Sequence, residues 1–216
     1  MPEKDVHHKT PLEQRTYMFE IRAEENEDGK IITGRPIVYN SRTNLGYYDE
    51  IIDQGALNNT DLTDVRFLVN HDTREIPLAR SRRNNGNSTM QLTVDDRGMG
   101  IRVKLDTENN NKARALYSAV ERGDITGMSF MFGVNDEEWE ELESDHPTRR
   151  IKDISSVVEV SAVTFPAYDA TEINARSKET LEKARLALEN AKEQRVKSVE
   201  TDVELEKAKF NFIAKL

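Results

Sequence analysis

The chain has 216 residues, 36% of them hydrophobic and 33% charged, with a net charge of −9 and no cysteine. This length suits one globular domain plus an appendage, and so polar a balance points to an exposed charged helix or tail beside an ordinary core. Absence of cysteine excludes disulfides, thiolate nucleophiles and Cys-containing zinc sites; no stretch approaches the roughly 20 apolar residues of a membrane helix; and the acidic charge argues against nucleic-acid binding as the main task.

Residues 1–16 are polar, Pro-containing and without period, so they are expected to be disordered, and they lack the apolar region of a secretory signal. A cysteine-free chain without such a signal fits a reducing, intracellular setting. YMFEIRAEE (17–25) and IITGRPIVYN (31–40) read as two strands around an acidic, Gly-containing turn. After a polar loop, EIIDQGALNN (50–59) is predicted to hold a short helix, and VRFLVNHD (65–72) is another strand. LARSRRNNGN carries Arg80, Arg82 and Arg83, a basic cluster that its NNG turn chemistry places in solvent. TMQLTVDDRGMGIRVKLD (89–106) is a hairpin joined at DDRG. NNNKARALYSAVERGD (109–124) is a helix, with Ala113, Leu116, Tyr117 and Val120 at helical spacing and Gly123 placed to stop it.

ITGMSFMFGV (125–134) follows as a strand, EEWEELESDHPTRR (137–150) as an acidic loop or short hairpin, and RIKDISSVVEVSAVTFPAY (150–168) as the last strands, ended by Pro166. Beyond Ser177 the composition changes. Leu181, Ala184, Leu188 and Ala191 form a thin seam that slips by one and resumes at Val196, Val199, Val203 and Phe210. This long helix has nine basic against eight acidic residues, so the negative charge lies on the body. A seam this thin does not fold a helix alone; it needs the body, a copy of itself or a partner to lie on. The expected division is a disordered segment 1–16, a domain 17–170, and a linker with the charged helix at 171–216.

A strand over 125–134 puts Ile125, Gly127, Ser129, Met131 and Gly133 on one face, and Thr126, Met128, Phe130, Phe132 and Val134 on the other. The second is a core face; the first is small around one hydroxyl. Ser129 is either a core serine bonded to a carbonyl or a nucleophile, and the second requires a base within reach. Of the four histidines, His7 and His8 fall in the N-terminal segment and His146 in the acidic loop. His71 alternates with Val65, Phe67 and Val69, so it ends the core-facing row of its strand. In VVEVSAV, Glu159 interrupts an apolar run and shares a face with Val157, Ser161 and Val163. An unpaired buried carboxylate is costly, so Glu159 is expected to face the His71 imidazole or a cation such as Arg102 or Lys104. Ser129, His71 and Glu159 match the logic of a serine hydrolase triad of nucleophile, base and orienting carboxylate. Their chain order differs from the familiar ones and there is no G-x-S-x-G elbow, so spacing alone leaves catalytic and structural readings open.

Five blocks, in order, carry a resemblance: GRPIVYN with GYYDEIIDQGAL; FLVNHD with His71; LARS; the helix leading into GDITGMSFMF with Ser129; and VVEVSAVTFPAYDAT with Glu159. Over residues 17–176 the chain resembles the tailed-bacteriophage prohead proteases, capsid-maturation peptidases similar to herpesvirus assemblins. The resemblance implies an α+β fold, a mixed and mostly antiparallel β-barrel with flanking helices, to which the long C-terminal helix is added. It implies Ser129 as nucleophile and His71 as base. Glu159 stands where the herpesvirus relatives have a second histidine, and either group orients an imidazole; Asp72 is the alternative acid. Backbone N–H groups near Ser129 or in a loop at 148–156 are the candidate oxyanion donors.

The implied activity is that of a serine endopeptidase working inside an assembling procapsid in the host cytoplasm, without metal or cofactor. Its implied targets are the scaffolding segment of the major capsid protein, any separate scaffold, and itself, clipped after the AYDATEINARS linker. The C-terminal helix is expected to contact scaffold. Self-association would match the herpesvirus relatives; neither a membrane nor a specific nucleic acid is expected as partner. Two other classes suit parts of the chain. A non-catalytic scaffolding protein suits the Lys/Glu-rich helix and is distinguished by whether Ser129, His71 and Glu159 converge. A nucleic-acid module using Arg80 to Arg83 is distinguished by salt-dependent DNA binding.

Overall fold

Alternation of apolar and polar residues makes most of the body strand, because side chains two apart share a face and are buried together. The computed structural model describes residues 11–17, 21–164, 176–195 and 197. In chain order the strands are β1 (Leu12–Tyr17), β2 (Ile21–Asn26), β3 (Gly29–Val38), β4 (Thr43–Asn44), β5 (Asp49–Ile52), β6 (Asp64–Val69), β7 (Ala79–Arg82), β8 (Met90–Asp95), β9 (Gly98–Lys104), β10 (Gly127–Glu140) and β11 (Thr148–Val163). Helix α1 (Asn111–Glu121) lies between β9 and β10, and residues 176–195 form helix α2.

The larger sheet runs β1, β10, β11, β5, β4, with β6 also paired to β11 and β7 to β6; the smaller runs β2, β3, β9, β8. Most pairs are antiparallel, but β11 pairs in parallel with both β5 and β6. At 16 residues, β11 is long enough to take β5 along its first part and β6 along its last. The expected barrel does not form. β1 and β2 are nearly consecutive, yet β1 pairs with β10 and β2 with β3, so the chain crosses between sheets instead of continuing one ladder. Among the described residues no ladder joins the two sheets, and neither closes on itself. They meet through side chains: Ile32, Ile37, Met99 and Val103 pack in one cluster with Phe130, Phe132, Val157 and Val160.

The predicted hairpin is β8 and β9, in register from Met90 opposite Val103 to Asp95 opposite Gly98. Gly98 has φ of +125°, and a Cβ there would sit 2.1 Å from the Ile37 carbonyl oxygen, so only glycine fits. The α1 helix starts at Asn110, whose side chain accepts from the N–H groups of Lys112 and Ala113, and buries the four residues predicted from spacing. Burying Leu116, Tyr117 and Val120 stabilises by about 1.5–3 kcal/mol each.

Two segments differ from the sequence reading, and a third takes one of its two expected forms. Residues 12–16, expected to be disordered, belong to β1. EIIDQGALNN holds no helix: β5 buries Ile51 and Ile52, then successive turns close Ala56 on Asp53 and Asn58 on Gly55. The acidic stretch at 137–150, expected as a loop or short hairpin, takes the hairpin form: β10 runs to Glu140, a turn spans 141–147, and β11 begins at Thr148. Helix α2 lies on the body. Leu181 is buried against Leu45 and Tyr48, with Trp139 and Leu142 beside them. Arg185 donates to the carbonyls of Leu142 (3.0 Å) and Ser144 (2.6 Å). The described side chains beyond residue 188 are exposed. Residues 1–10 with His7 and His8, Pro166, the linker up to residue 175, and the seam from Val196 to Phe210 lie outside the described residues.

Candidate active site

Four neighbouring strands bring the candidate residues into one row. Thr16 on β1 lies opposite Ser129 on β10, Ser129 opposite Ser161 on β11, and Ser161 beside Leu68 on β6. Glu159 and Ser161 are two apart on β11 and share a face. His71 reaches the row by a turn and not by strand alternation. β6 ends at Val69, and Asn70 (φ 51°) and His71 (φ 57°) are both left-handed. That conformation costs non-glycine residues about 1 kcal/mol or more, and here it is held in place. Asn70 donates its N–H to the Ala162 carbonyl (3.0 Å), and its side-chain oxygen accepts from the Thr164 N–H (3.0 Å). The His71 N–H donates to Ser161 Oγ (3.1 Å).

The three side chains converge. His71 Nδ1 is 2.5 Å from Glu159 Oε1, and His71 Nε2 is 2.6 Å from Ser129 Oγ. Ser161 donates its hydroxyl to the other Glu159 oxygen at 2.7 Å. The carboxylate can only accept at Nδ1, so that nitrogen carries the proton and Nε2 turns its lone pair toward Ser129. An imidazole so held can take a proton from a hydroxyl. Ser129 and Ser161 are fully buried and Glu159 nearly so, at 2% exposure.

The nucleophile candidate has a cover. Ser129 Oγ donates to the Arg15 carbonyl (2.7 Å) and accepts from the Thr16 hydroxyl (2.8 Å). The Arg15 guanidinium then enters a buried ion network. It donates to both Glu50 oxygens, at 2.5 and 2.6 Å, and to Glu13 at 2.6 Å. Arg149 bonds Glu13 twice at 2.7 Å, Glu50 at 3.0 Å, and Glu137. Burial alone would raise the Glu13 carboxyl, but Arg149 and Arg15 bring it down to about 2. Burial also opposes the charge on Arg15, and Glu50 and Glu13 more than offset it, holding the guanidinium above its usual range.

Other candidates go elsewhere. Asp72, the alternative acid, bonds Arg74 at 2.9 and 3.1 Å. Arg102 bonds Asp28 at 2.7 Å from β9, in the other sheet, and Lys104 on the same strand is exposed. The expected loop at 148–156 is part of β11, laddered to β5 and β10, so it is no free set of oxyanion donors. His146 contacts Asp49 at 3.0 Å. Arg80 sits in β7 and bonds Asp64, while Arg83 and Asn84 make the turn. Among the described residues no group of three or more His, Asp or Glu side chains is arranged to hold a metal ion. Sequence reasoning passed over Arg15, Thr16, Glu50, Arg149 and Ser161. Only Ser161 left a signal, as a second polar residue on the Glu159 face.

Two antiparallel-rich sheets thus hold a serine, a histidine and a glutamate within hydrogen-bond reach of one another, an arrangement able to activate a hydroxyl. The sequence model of the Caudovirus prohead serine protease family matches residues 17–185, and the chain belongs to that family. It is thus a serine protease of the prohead-maturation type. A solved structure, the capsid assembly protease gp21 of bacteriophage T4, is similar at 11% identity and a TM-score of 0.40, covering 72% of this chain and 98% of that one. No curated protein matches the chain.

Proposed function

We propose that the chain is a serine endopeptidase that cuts the scaffolding segment of the phage major capsid protein inside the assembling procapsid, in the host cytoplasm. The observation that carries this is the unbroken line Glu159–His71–Ser129, at 2.5 and 2.6 Å. In this reading Ser129 Oγ attacks the scissile carbonyl carbon while its proton passes to His71 Nε2. The C–N bond breaks as His71 returns that proton to the leaving amine. Water, deprotonated by the same nitrogen, then releases the acyl group and restores Ser129. Glu159 holds the Nδ1 proton and stabilises the imidazolium that forms. Neither a metal nor a cofactor is called for.

The partners in this reading are the major capsid protein and its scaffold, with α2 as a contact element. The protease also clips itself after the AYDATEINARS linker. The test is intact mass after co-expression of the full chain with its capsid protein, for wild type and Ser129→Ala. Wild type is expected to give a shortened capsid protein and a clipped protease, and Ser129→Ala to leave both whole. Equal masses from the two would remove Ser129 from the chemistry.

A further inference from the structure

An endopeptidase whose nucleophile is fully buried meets no polypeptide until its cover moves, and here the cover is β1. We propose that β1 occupies the substrate groove as the enzyme's own ligand, that a substrate replaces it as an antiparallel strand on β10, and that Glu50 selects an arginine or lysine immediately before the bond attacked. This rests on the reading of Ser129 as nucleophile.

The backbone argument comes first. Among the described residues β1 is a six-residue edge strand paired only with β10, and adding a strand to a sheet edge is a recurrent way to bind extended peptide. Within β1, the carbonyl at the nucleophile is that of Arg15, 2.7 Å from Ser129 Oγ. Arg15 thus takes the place of the residue preceding the scissile bond. Ser129 donates its proton to that carbonyl oxygen, in competition with His71 Nε2, so β1 is bound and not attacked. The Thr16 hydroxyl donates to Ser129 Oγ and fills a further site on that hydroxyl oxygen.

The side-chain argument is independent of it. Both Glu50 oxygens meet the Arg15 guanidinium, the fork-to-fork pairing that favours arginine. The Arg15 Cζ also lies 5.6 Å from the centre of the Phe132 ring, a cation–π distance. The Glu50 side chain is completely buried. Once β1 leaves, Glu50 and Glu137 face a single guanidinium, that of Arg149. Glu137 is partly exposed, so it is the enclosed Glu50, left to share Arg149, that favours a returning cation. Glu13, two residues before Arg15, bonds Arg149, so a carboxylate two places before the cation would be bound as well.

The test uses the full chain and a fluorophosphonate probe that labels an active serine. Arg15→Glu sets a carboxylate against Glu50 and should expel β1, raising the labelling rate at Ser129 by about 30-fold or more over wild type. If Arg15→Glu does not fold, as judged by circular dichroism, Arg15→Ala takes its place. The hexapeptide LEQRTY should protect the expelled variant, and LEQATY should need about 30-fold more peptide for equal protection. Adding Glu50→Gln should erase that difference. Equal labelling of wild type and the Arg15 variant, or equal protection by both peptides, overturns the inference while leaving the protease reading intact. Absence of Ser129 labelling in every folded chain overturns the nucleophile assignment itself, and this inference with it.

Discussion

Two serines touch the His71 unit and differ in what they can do. Ser129 meets the free ring nitrogen, whereas Ser161 bridges the His71 backbone N–H and Glu159 Oε2, fixing ring and carboxylate together. Glu159→Gln keeps the shape but not the charge, and should lower kcat on the order of 10³- to 10⁴-fold with the fold intact. Ser161→Ala should lower kcat by about 10- to 100-fold at nearly constant KM, the worth of a hydrogen bond to a charged group. Steady-state kinetics on a cleavable peptide checks both, and a loss confined to KM would contradict them. At this scale the sequence was readable where a charge broke an apolar run, as at Glu159. At His71 the residue was readable but its direction was not, because strand alternation predicts a side-chain direction that two left-handed residues then replace. Hydroxyls such as that of Thr16 leave little trace, since such residues are common on any polar face.

β1 is attached through charge as well as through its ladder. The Glu13 carboxyl is depressed from 4.5 to about 2. A depressed carboxyl contributes stability that is complete above its unfolded value and lost as pH falls toward its folded one. The attachment of β1 should therefore be unchanged above pH 4.5 and weaken between there and about pH 2. Amide NMR shifts of residues 12–17 along an acid titration check this, and detachment above pH 4.5 would contradict it. The β8–β9 hairpin makes a different prediction. Gly98→Ala forces a Cβ onto the Ile37 carbonyl at positive φ, and should destabilise by about 2 kcal/mol or more in urea unfolding. That hairpin was legible because its turn chemistry and alternation are local. β1 was not, because its partner β10 lies more than a hundred residues on, and only that pairing makes a strand of LEQRTY.

For the whole molecule, the decisive features are how the two sheets meet and where α2 lies. Closure of a barrel depends on which edges pair, and edge pairing has no local signature in composition or period. The resemblance implied closure; the crossing between β1 and β2 overrides it. Of the expected seam Leu181 is buried, Ala184 and Leu188 are half-buried and Ala191 is exposed; its seat was not legible, since Leu45 and Tyr48 come from the β4–β5 turn and Leu142 from the distant turn between β10 and β11. Leu181→Ala should free the helix, because the anchoring cluster has few other members. Limited trypsin digestion should then cut at Lys183 or Arg185 at least about tenfold faster, through a higher open population, with the Ser129 labelling rate unchanged.

The hydrogen bonds that assemble the site join residues 58, 88, 90 and 113 positions apart. Contacts of such long range must wait for large loops to close, at an entropic cost that slows folding. A chain still emerging from the ribosome, or one half collapsed, would carry the serine and the histidine long before it carried a working site. The last partner to arrive is β11, with Glu159 and the serine that seats His71. Topology thereby acts as a clock: the protease cannot make its first cut before nearly the whole of its own body has been synthesised and folded.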